Sequence, residues 1–271
     1  MNAKQIALTS PLTTFFLLAY GLAWLLWLPL ILSKTGVGLL PVSIPMPYVV
    51  LGTFAPTLSA LITHKLTDGR IRFFSFTIDG LKAGVGLLTG LLLIAVGFIL
   101  LPSSLLTTNG FSNWQWAAFL SYPELILRMV FLAAGPLGEE PGWRGYALPK
   151  LQRRYGATNA SFVLGTLWFG WHLPLFLIPT WTSSPMFVYA LIVLGLSFIM
   201  TLSSILSGKN IVVAILLHAA FNASPLVVSQ FLMQSQLRDS PSFEWTLAAS
   251  FLVIAFLLML VFKGQRDFRT D

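Results

Sequence analysis

At 271 residues, with 56% hydrophobic and only 9% charged, the chain is too apolar for a soluble domain, where about 25% charged is ordinary, and it is read as an integral membrane protein. The absence of cysteine excludes a disulfide framework and thiolate chemistry, and the net charge of +7 is assigned to orientation in the bilayer rather than to nucleic-acid binding. Spans of ~20 residues leave room for about eight transmembrane helices, so the expected fold class is all-α: a polytopic membrane helix bundle forming a single domain over residues 1–271.

The first apolar run, 15–32, is too long for a signal-peptide core and is followed by Ser33-Lys34 without a small-residue cleavage pattern, so it is read as a retained span. Pro41, Pro45 and Pro47 punctuate the loop after it. A second span over 48–62 ends at His64-Lys65. Arg70, Arg72 and Lys82 then fill a basic loop before a third span over 84–101. Residues 102–116 carry no Lys or Arg but include Asn109-Gly110, Trp114 and Trp116, which suits an outer loop with interfacial aromatics. The fourth span is expected from about 124 to 148, with Lys150, Arg153 and Arg154 as its cytoplasmic anchor. The fifth, 158–178, opens on the small residues Ala157, Ser161 and Gly165, four apart, which let another helix approach closely. The sixth, 186–206, turns at Ser207-Gly208-Lys209, the seventh runs over 211–233, and the last over 245–262 precedes Lys263, Arg266 and Arg269. With the N-terminus inside, thirteen basic residues fall on cytoplasmic segments or span ends and three, Lys34, Arg128 and Arg238, on the opposite side. Both termini are therefore expected in the cytoplasm.

Within this apolar sequence, Gly138-Glu139-Glu140-Pro141-Gly142-Trp143-Arg144-Gly145 is exceptional, because only nine residues of the chain are Asp or Glu. On a helix Glu140 and Arg144 stand at i and i+4, neighbours on one face, and Glu139 is turned about 100° away. One carboxylate can pair with the guanidinium while the other stays free. Counting from Glu139 to Lys150 at ~1.5 Å per residue puts the acidic pair roughly 16 Å from the cytoplasmic anchor. Pro136 and Pro141 each remove a backbone donor beside it, which only a protein-lined or water-lined cavity tolerates in a membrane.

Two of the three histidines also lie in apolar spans. His172 and His218 sit roughly 21 Å and 14 Å deep at helical rise, Asn222 shares the face of His218 at i+4, and Trp168 precedes His172 by four. A single buried imidazole is more often a packing group. Three spans with polar groups at similar depth, each costing ~2.5 to 3.5 kcal/mol to insert, point to one shared site. Carboxylate and imidazole can deprotonate water, and a second imidazole with a carboxamide can donate to an oxyanion, so the chemistry that fits is hydrolysis. A nucleophile elbow, a P-loop and His-Glu-x-x-His are all absent from the sequence.

These residues resemble a known family. Glu139-Glu140-Pro141-Gly142-Trp143-Arg144 matches the Glu-Glu-x-x-x-Arg motif of the CAAX prenyl protease and bacteriocin-processing (CPBP, or Abi) intramembrane proteases, and His218-Ala219-Ala220-Phe221-Asn222 matches their His-x-x-x-Asn motif. Their middle motif is Phe-x-x-x-His; here Trp168 stands four before His172, so the aromatic is substituted. The correspondence covers about 120–225, the motif-bearing core. The resemblance implies an eight-helix endopeptidase in a bacterial plasma membrane, with a cavity open to the cytosol. It also implies a peptide or protein substrate, lipidated in some relatives, and no nucleic-acid partner. Glu139 would be the general base helped by His172, Glu140 with Arg144 would brace the site, and His218 with Asn222 would form the oxyanion hole. This scheme requires no cofactor. Zinc held by Glu139, His172 and His218 is the alternative, and a non-enzymatic immunity or helper protein is the reading from a different class.

Overall fold

The computed structural model describes residues 9–68, 79–100, 116–232 and 241–264; all regular structure among them is helical, with no strand. Lys4, Arg70, Arg72, Arg238, Arg266 and Arg269 lie outside these residues, as does the expected outer loop from 102 to 115.

Helix α1 is Pro11–Leu32. After the loop, Met46–Val49 and Val50–Thr53 form short helical turns that lead into α2, Ala55–Asp68. Helix α3 is Gly80–Ala95, capped by the Asp79 side chain, which accepts from the Lys82 backbone N–H. Helix α4 is the short Tyr122–Phe131. Helix α5, Gly135–Glu140, runs through a π-helical turn, Pro141–Ala147, into α6, Leu148–His172. Helices α7, Met186–Leu206, α8, Ile211–Leu232, and α9, Pro241–Gly264, complete the described bundle.

Seven helical stretches among the described residues are long and apolar enough to cross a membrane, and one of them, Gly135–Leu177, is 43 residues long. That stretch is not straight. Gly156 interrupts it with φ 76° and ψ 170°, a backbone state that is essentially glycine's alone. The indole of Trp168 hydrogen-bonds the carboxylate of Glu139, two groups that a continuous helix would hold roughly 43 Å apart. The stretch is therefore a hairpin of two legs of roughly 20 residues, each a full crossing. Counted so, the described residues form eight crossings, the number that composition implied.

The fourth crossing begins later than the sequence suggested. The expected span from 124 to 148 is broken, because α4 ends at Phe131 and the chain turns through Ala134 in the left-handed region, φ 50°. Helix α5 restarts at Gly135, with Pro136 in its first turn, where a missing N–H costs nothing. Helix α4 exposes Glu124 and Arg128, which pair at 2.6 Å, together with Leu127 and Phe131. It is an amphipathic prelude and not the first half of a span.

The small-residue stripe on the second leg does what its spacing implied. A Cβ at Gly165 would stand 2.9 Å from Cβ of Ser197, and Ser197 Oγ donates to the carbonyl of Ser161 at 2.9 Å, so α6 and α7 meet at close backbone range. Glycines do the same on the first leg: an added Cβ would lie 2.8 Å from the Thr53 carbonyl oxygen at Gly138 and 2.4 Å from the Pro56 backbone at Gly142. This i, i+4 face is pressed onto the turn at Thr53 and the start of α2. Glu139, the next residue round the helix, points elsewhere.

Candidate active site

Glu140 and Arg144 are buried, and Arg144 Nη1 donates to Glu140 Oε1 at 3.1 Å, as the i, i+4 spacing implied. The same oxygen accepts Nδ1–H of His218 at 2.8 Å. The guanidinium carbon of Arg144 lies over the Trp168 ring, 4.1 Å from its centroid, a cation–π contact strengthened where water is excluded. Arg144 thus meets the indole and binds the carboxylate through a single nitrogen. The π-helical turn over 141–147 carries Arg144; such bulges are frequent at functional sites.

Glu139 occupies a different environment. Its Oε2 accepts the Trp168 indole N–H at 2.8 Å, and its carboxyl group lines a cavity of about 660 Å³. His172, His218 and Asn222 line the same cavity, whereas Glu140 and Arg144 do not. The Nδ1–H of His172 donates to the Trp168 carbonyl at 2.8 Å, which leaves Nε2 of the neutral ring as an acceptor. The ring is stacked on Trp181 at 5.6 Å and meets Tyr189 edge-on at 5.5 Å. Asn222, one helical turn beyond His218, is half-buried.

Trp168 is therefore the residue on which the others converge. Its N–H meets Glu139, its face Arg144, its backbone oxygen His172 and its ring the edge of His218 at 5.1 Å. The sequence marked it only as a substituted aromatic. A signal was present, because an indole N–H in an apolar span needs an acceptor and Glu139 lay at matching depth. The His218–Glu140 bond was also missed: spacing pairs residues on one helix and says nothing about which face of α8 meets the first leg.

The cavity wall is mostly apolar, with Trp27, Phe98, Trp171, Leu175 and Phe221 among its residues; its charged lining residues are Glu139 and Glu244. Nδ1 of His218 is turned to Glu140 and Nδ1 of His172 to a backbone carbonyl, which leaves Nε2 as the atom each ring could offer an ion; for the zinc alternative, no three His, Asp or Glu side chains are grouped as ligands among the described residues.

Residues 120–224 match the family model described as Type II CAAX prenyl endopeptidase Rce1-like. A curated relative, CAAX prenyl protease 2 of Methanococcus maripaludis, is 26% identical over 235 residues, covering 77% of this chain and 81% of that protein. The matched segment spans the acidic pair, the hairpin at Gly156 and both buried histidines, so in motif order and helical architecture the chain is similar to the CAAX-protease-like (Rce1-like) intramembrane proteins.

Proposed function

We propose that the protein is an intramembrane endopeptidase that hydrolyses a peptide bond with water activated by Glu139. The observation that carries this reading is the division of the acidic pair: Glu139 lines the cavity with His172, His218 and Asn222, while Glu140 is held behind the wall by Arg144 and His218. In this scheme Glu139 takes a proton from water, with His172 Nε2 accepting the second hydrogen bond, and the hydroxide adds to the scissile carbonyl carbon. The carboxamide of Asn222 donates to the oxyanion. His218 donates Nδ1–H to Glu140, so Nε2 carries a proton for the oxyanion only as imidazolium, with Glu140 as its counter-ion. Collapse of the tetrahedral intermediate breaks the C–N bond, and the proton held by Glu139 leaves with the amine.

The aromatic and aliphatic wall supports a peptide carrying large apolar side chains or a lipid as substrate. The name of the Methanococcus maripaludis relative, a CAAX prenyl protease, supports prenylated or similarly apolar C-terminal segments as the first candidates. Purified protein incubated with a peptide library, with products read by mass spectrometry, tests this. Cleavage by the wild type and none by Glu139→Ala is the expected outcome; equal product from both removes the scheme, and no cleavage by either favours a binding protein.

A further inference from the structure

The cytosolic opening that the family resemblance implies and the cytoplasmic basic end that the charge bias implies cannot both hold in this fold. The cavity reaches the surface at the loop between α6 and α7, where Thr180, Thr182, Ser183 and Ser184 line it, and at the start of α9, where Glu244 accepts from Ser184 Oγ at 2.6 Å. Thr180 and Ser183 are exposed. This rim lies at the far end of the second leg from Gly156, roughly 30 Å away along the helix.

The Gly156 end is the basic one. Arg153 and Arg154 precede the turn. Lys209, on the α7–α8 turn, is held below its ordinary pKa first by burial and then by the neighbouring charge of Arg153. A Cβ on Gly208 would meet the Lys82 side chain at 3.9 Å, which brings the start of α3 to the same end. Lys65, Lys150 and Lys263 terminate or approach this end, whereas Lys34 and Arg128 are the basic residues toward the other among those described. Seven against two assigns the Gly156 end to the cytoplasm, because Lys and Arg in short loops set orientation.

We infer that the chamber holding Glu139, His172, His218 and Asn222 is entered from the extracytoplasmic side, so that its substrates are polypeptide segments exposed on that side of the membrane. The term substrate rests on the proteolytic reading; the side of entry does not. Charge and rim location stand independently of any chemistry in the chamber.

The chain contains no cysteine, so single-cysteine variants report without background. Ser183→Cys marks the rim and Arg154→Cys the opposite end, both exposed positions; Thr180→Cys replaces the first if that variant does not accumulate. Intact expressing cells are treated with a membrane-impermeant maleimide, and then again after permeabilisation. Labelling of the rim cysteine in intact cells, with Arg154→Cys reacting only after permeabilisation, is the expected result. The reverse pattern overturns the inference. Repeating the labelling in a Glu139→Gln background separates the two readings: unchanged labelling with no hydrolysis by the wild type ends the proteolytic reading and leaves the sidedness standing.

Discussion

The indole N–H of Trp168 reaches across the hairpin to Oε2 of Glu139 at 2.8 Å, while the face of the same ring covers Arg144 at 4.1 Å. One side chain thereby fixes the free carboxylate and shields the paired guanidinium. Trp168→Phe keeps a ring over Arg144 and removes the donor. A hydrogen bond to a charged group contributes about 1.5 to 3 kcal/mol, so the turnover rate of Trp168→Phe is expected to fall roughly tenfold to a hundredfold, with little change in thermal stability in detergent. A variant with wild-type turnover would mean that Glu139 needs no indole donor.

The buried cluster of Glu140, Arg144 and His218 is expected to act through stability. Glu140→Gln leaves the Arg144 guanidinium buried without its carboxylate, and breaking such a pair costs about 3 to 5 kcal/mol. A melting temperature equal to that of the wild type would show that Arg144 finds another partner. Arg144→Lys keeps the charge, yet its ammonium cannot cover the Trp168 ring as the flat guanidinium does. A loss smaller than that of Glu140→Gln is expected for it, read by the same melting measurement.

Gly156 makes the hairpin possible, and the hairpin brings Glu139 to Trp168 and His172. At φ 76° and ψ 170° an alanine is strained by about 1 to 3 kcal/mol. Gly156→Ala is therefore expected to lower folded yield and melting temperature although it lies far from the cavity. Unchanged stability would indicate that the turn relaxes to another backbone state.

Much of this was legible in the sequence because each feature is local. Apolar run lengths gave the eight crossings, the spacing of Glu140 and Arg144 gave their pairing, and the intervals of Ala157, Ser161 and Gly165 gave a face that another helix could approach closely. What could not be read were relations between helices. Nothing local says that His218 turns to Glu140, that Gly138 and Gly142 press onto Thr53 and the start of α2, or that the chain breaks at Ala134, a left-handed position occupied by a residue that does not announce it. The side on which the chamber opens is also a three-dimensional property. It needed both the charge count and the location of the rim.

Because no three His, Asp or Glu side chains are grouped as metal ligands among the described residues, hydrolysis is expected to survive dialysis against a strong chelator. Loss of activity on chelation and its return with zinc would replace the glutamate-only scheme by the metal one.

The central claim is that the two adjacent glutamates have separate duties, Glu139 toward water and Glu140 toward the scaffold. The most direct measurement compares the hydrolysis rate and melting temperature of the wild type with those of Glu139→Gln, purified in the same detergent. The amide at 139 is expected to abolish turnover, by at least a hundredfold on the order of general-base contributions, while the melting temperature stays at or near that of the wild type. Turnover by Glu139→Gln within a few-fold of the wild type would contradict it.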